Sequence, residues 1–206
     1  MPVKVKICGV CSLEDASACV DAGADFLGLN FWRQGKRYCS PETAKRIVKE
    51  LGSKVEIVGV FVDEAFQDIA VMRRDLGFDW VQLHGHESPQ LLEALLPKAY
   101  KALRVQDKSI LQTHEAFAGD YLLLDAYTPD VPGGGGVQFD WSLAREVAKQ
   151  RNIMLAGGLR LDNVAQAVRA AKPFAVDVAS GVEYAAGKKD IELVKAFVTE
   201  AKKAND

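Results

Sequence analysis

Long apolar runs, a dominant charge and a scatter of cysteines are all missing from this chain of 206 residues. No hydrophobic stretch approaches the roughly 20 residues of a membrane-spanning helix, so an integral membrane protein is not expected. The formal net charge is only −2, which supplies no general field for nucleic acid or an anionic membrane surface. The first apolar stretch is broken by Lys4 and Lys6, unlike the core of a secretory signal. The cysteines are Cys8, Cys11, Cys19 and Cys39, all near the start. A secreted disulfide framework would spread them out, so a reduced cytoplasm is the expected setting. Linkers and composition breaks are also missing. With 49% hydrophobic and 26% charged residues, the expectation is one globular domain over residues 1–206.

What the chain does have is alternation. Strands are expected at Val3 to Ile7, Phe26 to Phe31, Val55 to Val62 and Trp80 to Leu83, then at Ala99 to Val105, Tyr121 to Leu124, Ile153 to Ala156 and Phe174 to Val178. These runs are continuously apolar rather than alternating, as in parallel sheets buried on both faces. Helices fall between them. Ser12 opens one that ends at Gly23; Ser40-Pro41 opens one that ends at Gly52; Ser88-Pro89 repeats the device. Serine satisfies the first free amides, and proline at the first helical position loses no hydrogen bond. Further helices are expected at Glu64 to Leu76, Lys108 to Ala116, Trp141 to Lys149, Leu161 to Ala171 and Ile191 to Lys203. Eight strand–helix units without a GxGxxG turn after the first strand fit a closed (β/α)8 TIM barrel better than an open doubly wound sheet.

In such a barrel all strand carboxyl ends meet at one mouth, where the chemistry sits. Here they carry Cys8, then Arg37 in the loop after the second strand, Gln82 and His84, Asp125, the pair Gly157-Gly158, and Asp177 with Ser180-Gly181. Glycines after strands seven and eight let backbone N–H groups approach a phosphate, and a short extra helix near Gly181 would add its N-terminus. Asp125 leaves an apolar strand for the mouth and suits a general acid. Cys8-Gly9-Val10-Cys11 invites a redox reading, but thioredoxin-like folds place CxxC after a different strand in a shorter chain. Zinc would need all four thiolates at one vertex, with Cys19 inside a helix. His84-Gly85-His86 has side chains that diverge on a loop. Gly133 to Gly136 reads as a loop able to act as a lid.

These residues, taken in order, resemble phosphoribosylanthranilate isomerases. The matching segments are Lys6-Ile7-Cys8-Gly9, Arg37-Tyr38 with Ser40-Pro41-Glu42, Gly59-Val60-Phe61-Val62, Val81-Gln82-Leu83-His84-Gly85 and Leu123-Leu124-Asp125. Phe139-Asp140-Trp141, Ala156-Gly157-Gly158-Leu159, Asp177 to Glu183 and Gly187 to Asp190 complete them. Departures fall at Gly35-Lys36, at Val137 and in the glycine run, and touch neither Cys8 nor Asp125. The resemblance implies a cofactor-independent and metal-independent Amadori rearrangement in tryptophan biosynthesis. In it Asp125 is the general acid and Cys8 the general base, while Arg37 binds the anthranilate carboxylate. Gln82, His84 and Asp177 contact substrate, and Gly157, Gly158, Ser180 and Gly181 hold the phosphate. The implied partner is a small phosphorylated substrate, with no nucleic acid or membrane, in a monomer or homodimer. Two alternatives stand beside it: another phosphate-binding barrel enzyme such as an indole-glycerol-phosphate synthase, or a non-catalytic phosphosugar-binding barrel. The synthases use lysines at strand ends, and Lys6 is expected to point away from the face that carries Cys8.

Overall fold

The computed structural model describes residues 2–126 and 139–204; the Gly133 to Gly136 run and Val137 lie outside them. The first half of the chain runs β1 (Lys4–Cys8), α1 (Leu13–Asp21), β2 (Phe26–Asn30), α2 (Pro41–Leu51), β3 (Glu56–Phe61), α3 (Phe66–Leu76), β4 (Trp80–Leu83) and α4 (Pro89–Leu95). The second half runs β5 (Ala99–Val105), α5 (Ile110–Thr113), β6 (Tyr121–Ala126), α6 (Trp141–Ala148), β7 (Asn152–Leu155), α7 (Val164–Ala171) and β8 (Ala175–Val178). A short hairpin, β9 (Glu183–Ala185) with β10 (Lys188–Lys189), precedes α8 (Ile191–Lys203). Strands β1 to β8 close in sequence order into one barrel, with β8 pairing back onto β1. Every pairing in it is parallel. Among the described residues no helix is long and apolar enough to cross a membrane.

The helix starts follow their caps. Ser12, Ser40 and Ser88 each accept a hydrogen bond from the backbone N–H three residues on. Three starts differ from expectation, α3 beginning at Phe66 rather than Glu64. Helix α7 begins at Val164 rather than Leu161, because Asn163 spends its side chain on the loop before it: Nδ2 donates to the Gly158 carbonyl (2.9 Å) and Oδ1 accepts from Arg160 N–H (2.8 Å). Between Lys108 and Ala116 only Ile110–Thr113 is α-helical, and His114–Ala116 tightens into a 3-10 turn.

Strand alternation sorts the side chains into two cores. Residues such as Val5, Ile7, Ile57, Leu83, Leu124 and Val176 face out beneath the helices. Phe26, Val58, Tyr100, Leu123, Met154 and Ala175 face into the lumen. The lumen is layered along its axis. At the amino end Trp80, Tyr121 and Phe174 pack edge to face, with ring centroids 5.2 and 5.3 Å apart, and Phe26 adjoins Phe174. Two residues further along each strand, the inward positions hold Lys6, Gly28, Gln82 and Asp177.

Behind β8 the chain makes a three-residue 3-10 turn, Ser180–Val182, before the hairpin. The extra helix expected near Gly181 is therefore one turn, too short to carry a useful dipole. The hairpin is tied back into the barrel mouth by Glu183, whose side chain is 3% exposed. Its carboxylate accepts from Arg37 Nε (3.0 Å) and Nη2 (2.7 Å) and from Lys189 Nζ (2.7 Å). Lys189 in turn donates to the Cys8 carbonyl (2.6 Å). One buried carboxylate thus joins the end of β1, the loop after β2 and the segment after β8.

Burial alone would raise the Glu183 carboxyl, but the Arg37 hydrogen bonds and the Lys189 ammonium outweigh it and hold it below its ordinary value. Its contribution to stability is present above the ordinary carboxylate range and fades as the pH falls through the lowered value. Glu183→Gln leaves a buried ammonium without its counter-charge. It is expected to lower the unfolding free energy by about 3 kcal/mol in urea melts at neutral pH, with the difference from the unaltered protein shrinking in acid. A loss below about 0.5 kcal/mol, the size of an ordinary surface change, would contradict this account.

Candidate active site

At the carboxyl ends of the strands lies a cavity of about 770 Å³, counting its open mouth. Its lining brings together every residue singled out from the sequence: Cys8, Arg37, Gln82, His84, Asp125, Gly157, Gly158, Asp177, Ser180 and Gly181. The four that lie in strands arrive there for the same reason. Cys8 and Gln82 stand two positions past the inward residues Lys6 and Trp80, and Asp125 and Asp177 two past Leu123 and Ala175.

Cys8 and Asp125 approach the cavity from opposite sides, since β1 and β6 are separated by β8 and β7 along the shorter way round the barrel. Asp125 is 4% exposed. Its Oδ2 lies 3.3 Å from His84 Nε2, out of hydrogen-bond alignment. On the far side of that ring, His84 Nδ1 meets Gln82 Nε2 at 2.7 Å, and Tyr100 Oη donates to Gln82 Oε1 at 3.0 Å. A fully buried tyrosine and glutamine thus hold the imidazole upright beside the carboxylate.

Arg37 reaches the cavity with its orientation already set. Glu183 occupies Nε and one N–H of Nη2, which leaves the Nη1 edge of the fork for a planar anion. At the opposite corner, Gly157 (φ 87°) and Gly158 (φ 63°) sit in the left-handed region, which turns consecutive backbone N–H groups toward one side. A Cβ on Gly157 would lie 2.5 Å from Ala126 N, and one on Gly181 would run into the Leu159 carbonyl. The two glycine turns therefore interlock, and Asn163 pins the first of them.

The remaining expectations divide. His86 turns away from the cavity; its backbone N–H binds Asp63 and its side chain is 83% exposed. Cys11 Sγ faces the Gly9 carbonyl. Cys19 and Cys39 are buried, which pushes both thiols up to about 12. The expectation for Lys6 fails. Residues two apart on a strand share a face, so Lys6 points into the lumen with Cys8. It is fully buried, and its Nζ lies 2.9 Å from Asp177 Oδ1.

Sequence reading also passed over Asn30 and Trp32, which line the cavity, with Asn30 Oδ1 accepting from Trp32 N–H at 2.8 Å. Asn30 ends an apolar strand in the same way as Cys8 and Asp125, and that rule would have found it.

A family model described as N-(5'phosphoribosyl)anthranilate (PRA) isomerase matches residues 5–200. The N-(5'-phosphoribosyl)anthranilate isomerase of Geobacter sp. (strain M21) is 47% identical over 200 residues, 97% of this chain and 98% of that protein. The crystal structure of phosphoribosyl anthranilate isomerase from Thermotoga maritima superposes with a TM-score of 0.89 at 40% identity, covering 98% of this chain and 99% of that one. A structure of phosphoribosyl anthranilate isomerase in complex with reduced 1-(o-carboxyphenylamino)-1-deoxyribulose 5-phosphate superposes with a TM-score of 0.86 at 39% identity and the same coverage. On the strength of a match across nearly its whole length, this chain belongs to the phosphoribosylanthranilate isomerase family.

Proposed function

We propose that residues 1–206 act as a single catalytic domain that isomerises N-(5-phosphoribosyl)anthranilate to 1-(carboxyphenylamino)-1-deoxyribulose 5-phosphate. The observation that carries the assignment of roles is the placement of one thiol and one carboxyl on opposing strands of a single cavity, between a glycine-turn corner and an arginine. Asp125 donates a proton to the ribose ring oxygen as the C1–O bond breaks, and the aryl nitrogen's lone pair forms the C1=N bond of a protonated Schiff base. The Cys8 thiolate then removes the C2 proton, and the C2–H electron pair forms a C1=C2 bond as the C=N pair returns to nitrogen. The resulting enolamine takes a proton at C1 and loses the C2 hydroxyl proton to become the ketone. Substrate nitrogen is the electron sink throughout, so the chemistry asks for no metal or cofactor.

The remaining cavity groups orient this exchange. Backbone amides of Gly157, Gly158, Ser180 and Gly181 hold the 5-phosphate, and the free edge of Arg37 takes the anthranilate carboxylate. Gln82, His84 and Asp177 contact the substrate between them. Two anchored ends fix the sugar between thiol and carboxyl, which turns remote binding into orientation. The protein so described acts in the cytoplasm on a small phosphorylated molecule, as a monomer or homodimer, without nucleic acid or membrane. Loss of anthranilate fluorescence on turnover of freshly made phosphoribosylanthranilate is the direct assay. A folded protein that binds this substrate without turning it over would leave only a phosphosugar-binding barrel.

Cys8→Ala and Asp125→Asn are each expected to lower kcat by about 10²–10⁴ with little change in KM, the usual worth of a positioned base or acid. Cys11→Ala is expected to be silent; an equal loss there would reject the assignment. Burial pushes the Cys8 thiol up from its ordinary value, with Lys6 opposing it. The thiolate is the reactive form, so kcat/KM should climb with pH and still be climbing above about 8.5. A profile flat across that range would count against a thiolate base.

Inorganic phosphate is expected to inhibit competitively. Gly158→Val, in a backbone conformation that disfavours a branched side chain, should weaken that inhibition at least tenfold and raise KM while the protein stays folded. Undiminished phosphate inhibition in the folded variant would move the phosphate site elsewhere.

A further inference from the structure

The inward face of β1 places Lys6 directly beneath Cys8, and the space both use is opened by Gly28 on the neighbouring strand. A Cβ at Gly28 would lie 2.8 Å from Cys8 Sγ and 3.1 Å from Lys6 Nζ. Thiol and ammonium therefore converge on one spot. Lys6 is not among the residues lining the cavity, so its ammonium is not offered to substrate as a strand-end lysine would be. It is fully buried in the register pair with Asp177, Nζ to Oδ1 at 2.9 Å. A buried ion pair is a poor source of stability, since apolar residues of the same shape serve as well or better. The barrel uses such residues in the layer below, where the lumen is aromatic.

The other groups facing the thiol are few. Lys189 comes from β10 and holds the Cys8 carbonyl, Arg37 comes from the loop after β2, Tyr100 comes from β5, and Asp177 from β8 is the anion that acts on it. Burial is the largest influence on the thiol and raises it. Lys6 is the largest opposing one, and Asp177 acts in the same sense as burial.

We propose that Lys6 is a positioning residue for proton abstraction, its ammonium being the fixed counter-charge of the Cys8 thiolate and Asp177 the group that aims it. This rests on Cys8 being the base. Lys6 supplies a charge at the point where a proton leaves sulfur, and its ammonium does so from outside the cavity lining.

The test reads the thiol itself. Iodoacetamide alkylation of Cys8, resolved by peptide mapping, is followed across the neutral-to-alkaline range in the intact protein. Lys6→Met should move the Cys8 profile to higher pH, slowing alkylation at neutral pH at least about tenfold, the effect of one unit. Asp177→Asn should move it to lower pH. The two substitutions break the same ion pair, so a purely structural role would shift the profile in neither or in one common direction. Cys11, whose charged neighbours are Lys189, Glu183, Arg37 and Asp15, is the internal control and should not respond to Lys6→Met.

Should Lys6→Met fail to fold with Asp177 left unpaired, Lys6→Met/Asp177→Asn removes both charges. It is still expected to shift Cys8 upward, by less, because the Lys6 influence is the larger. Turnover should follow: kcat of folded Lys6→Met falls at neutral pH with KM little changed, and recovers in alkali. An unmoved Cys8 profile in the folded variants, or shifts of one sign in Lys6→Met and Asp177→Asn, would overturn the proposal. The alkylation arm needs no turnover, so its failure is distinct from a failure of the base assignment, which Cys8→Ala tests.

Discussion

Closing eight parallel strands into a barrel commits every second residue to a lumen without bulk water, and the architecture follows from how that lumen is filled. At the amino end the filling is aromatic and makes no polar demands beyond Lys4, whose ammonium sits 5.4 Å from the Phe26 ring centroid and 5.7 Å from that of Phe174. One layer up, Lys6 and Asp177 must pair because neither can be charged alone in such a place. At the top the polar side chains reach an open cavity and can afford to be incompletely satisfied. The gradient from aromatic floor to polar mouth runs along single strands: Trp80, Gln82 and His84 mark it on β4 and its extension, Tyr121, Leu123 and Asp125 on β6.

The mouth is held by a different device. Loops that follow β1, β2 and β8 are distant in sequence, yet Glu183 draws Arg37, Lys189 and the carbonyl of Cys8 into one cluster. The consequence for the site is that the arginine is delivered with one edge occupied and the other presented. Rigid presentation of a fork limits the entropy lost when a planar anion docks.

Much of this was legible beforehand. Strands β4 and β5 and helix α8 have the bounds that their apolar runs and caps indicate, because turn residues bracket them closely. The strand-end rule brought ten residues to one cavity. What escaped it has physical causes. Lys6 was assigned to the wrong face although period-two alternation places it with Cys8; continuous apolar strands hide that alternation, since both faces are buried. Asn163 looked like a helix residue because its tertiary contact with the Gly158 carbonyl cannot be read locally. Glu183 and Lys189 stood within matching segments, but their convergence with Arg37 depends on a hairpin whose strands are only three and two residues long. The four-glycine run falls outside the described residues.

The aromatic floor has a bearing on traffic. Among the described residues, Trp80, Tyr121, Phe174 and Phe26 stopper the lumen from below, so the cavity is a well closed at its floor. What enters through the mouth finds no way out through that floor. Under the proposed anchoring, a product that keeps the phosphate and the carboxylate of its precursor meets on its way out the same two anchors that held what it came from.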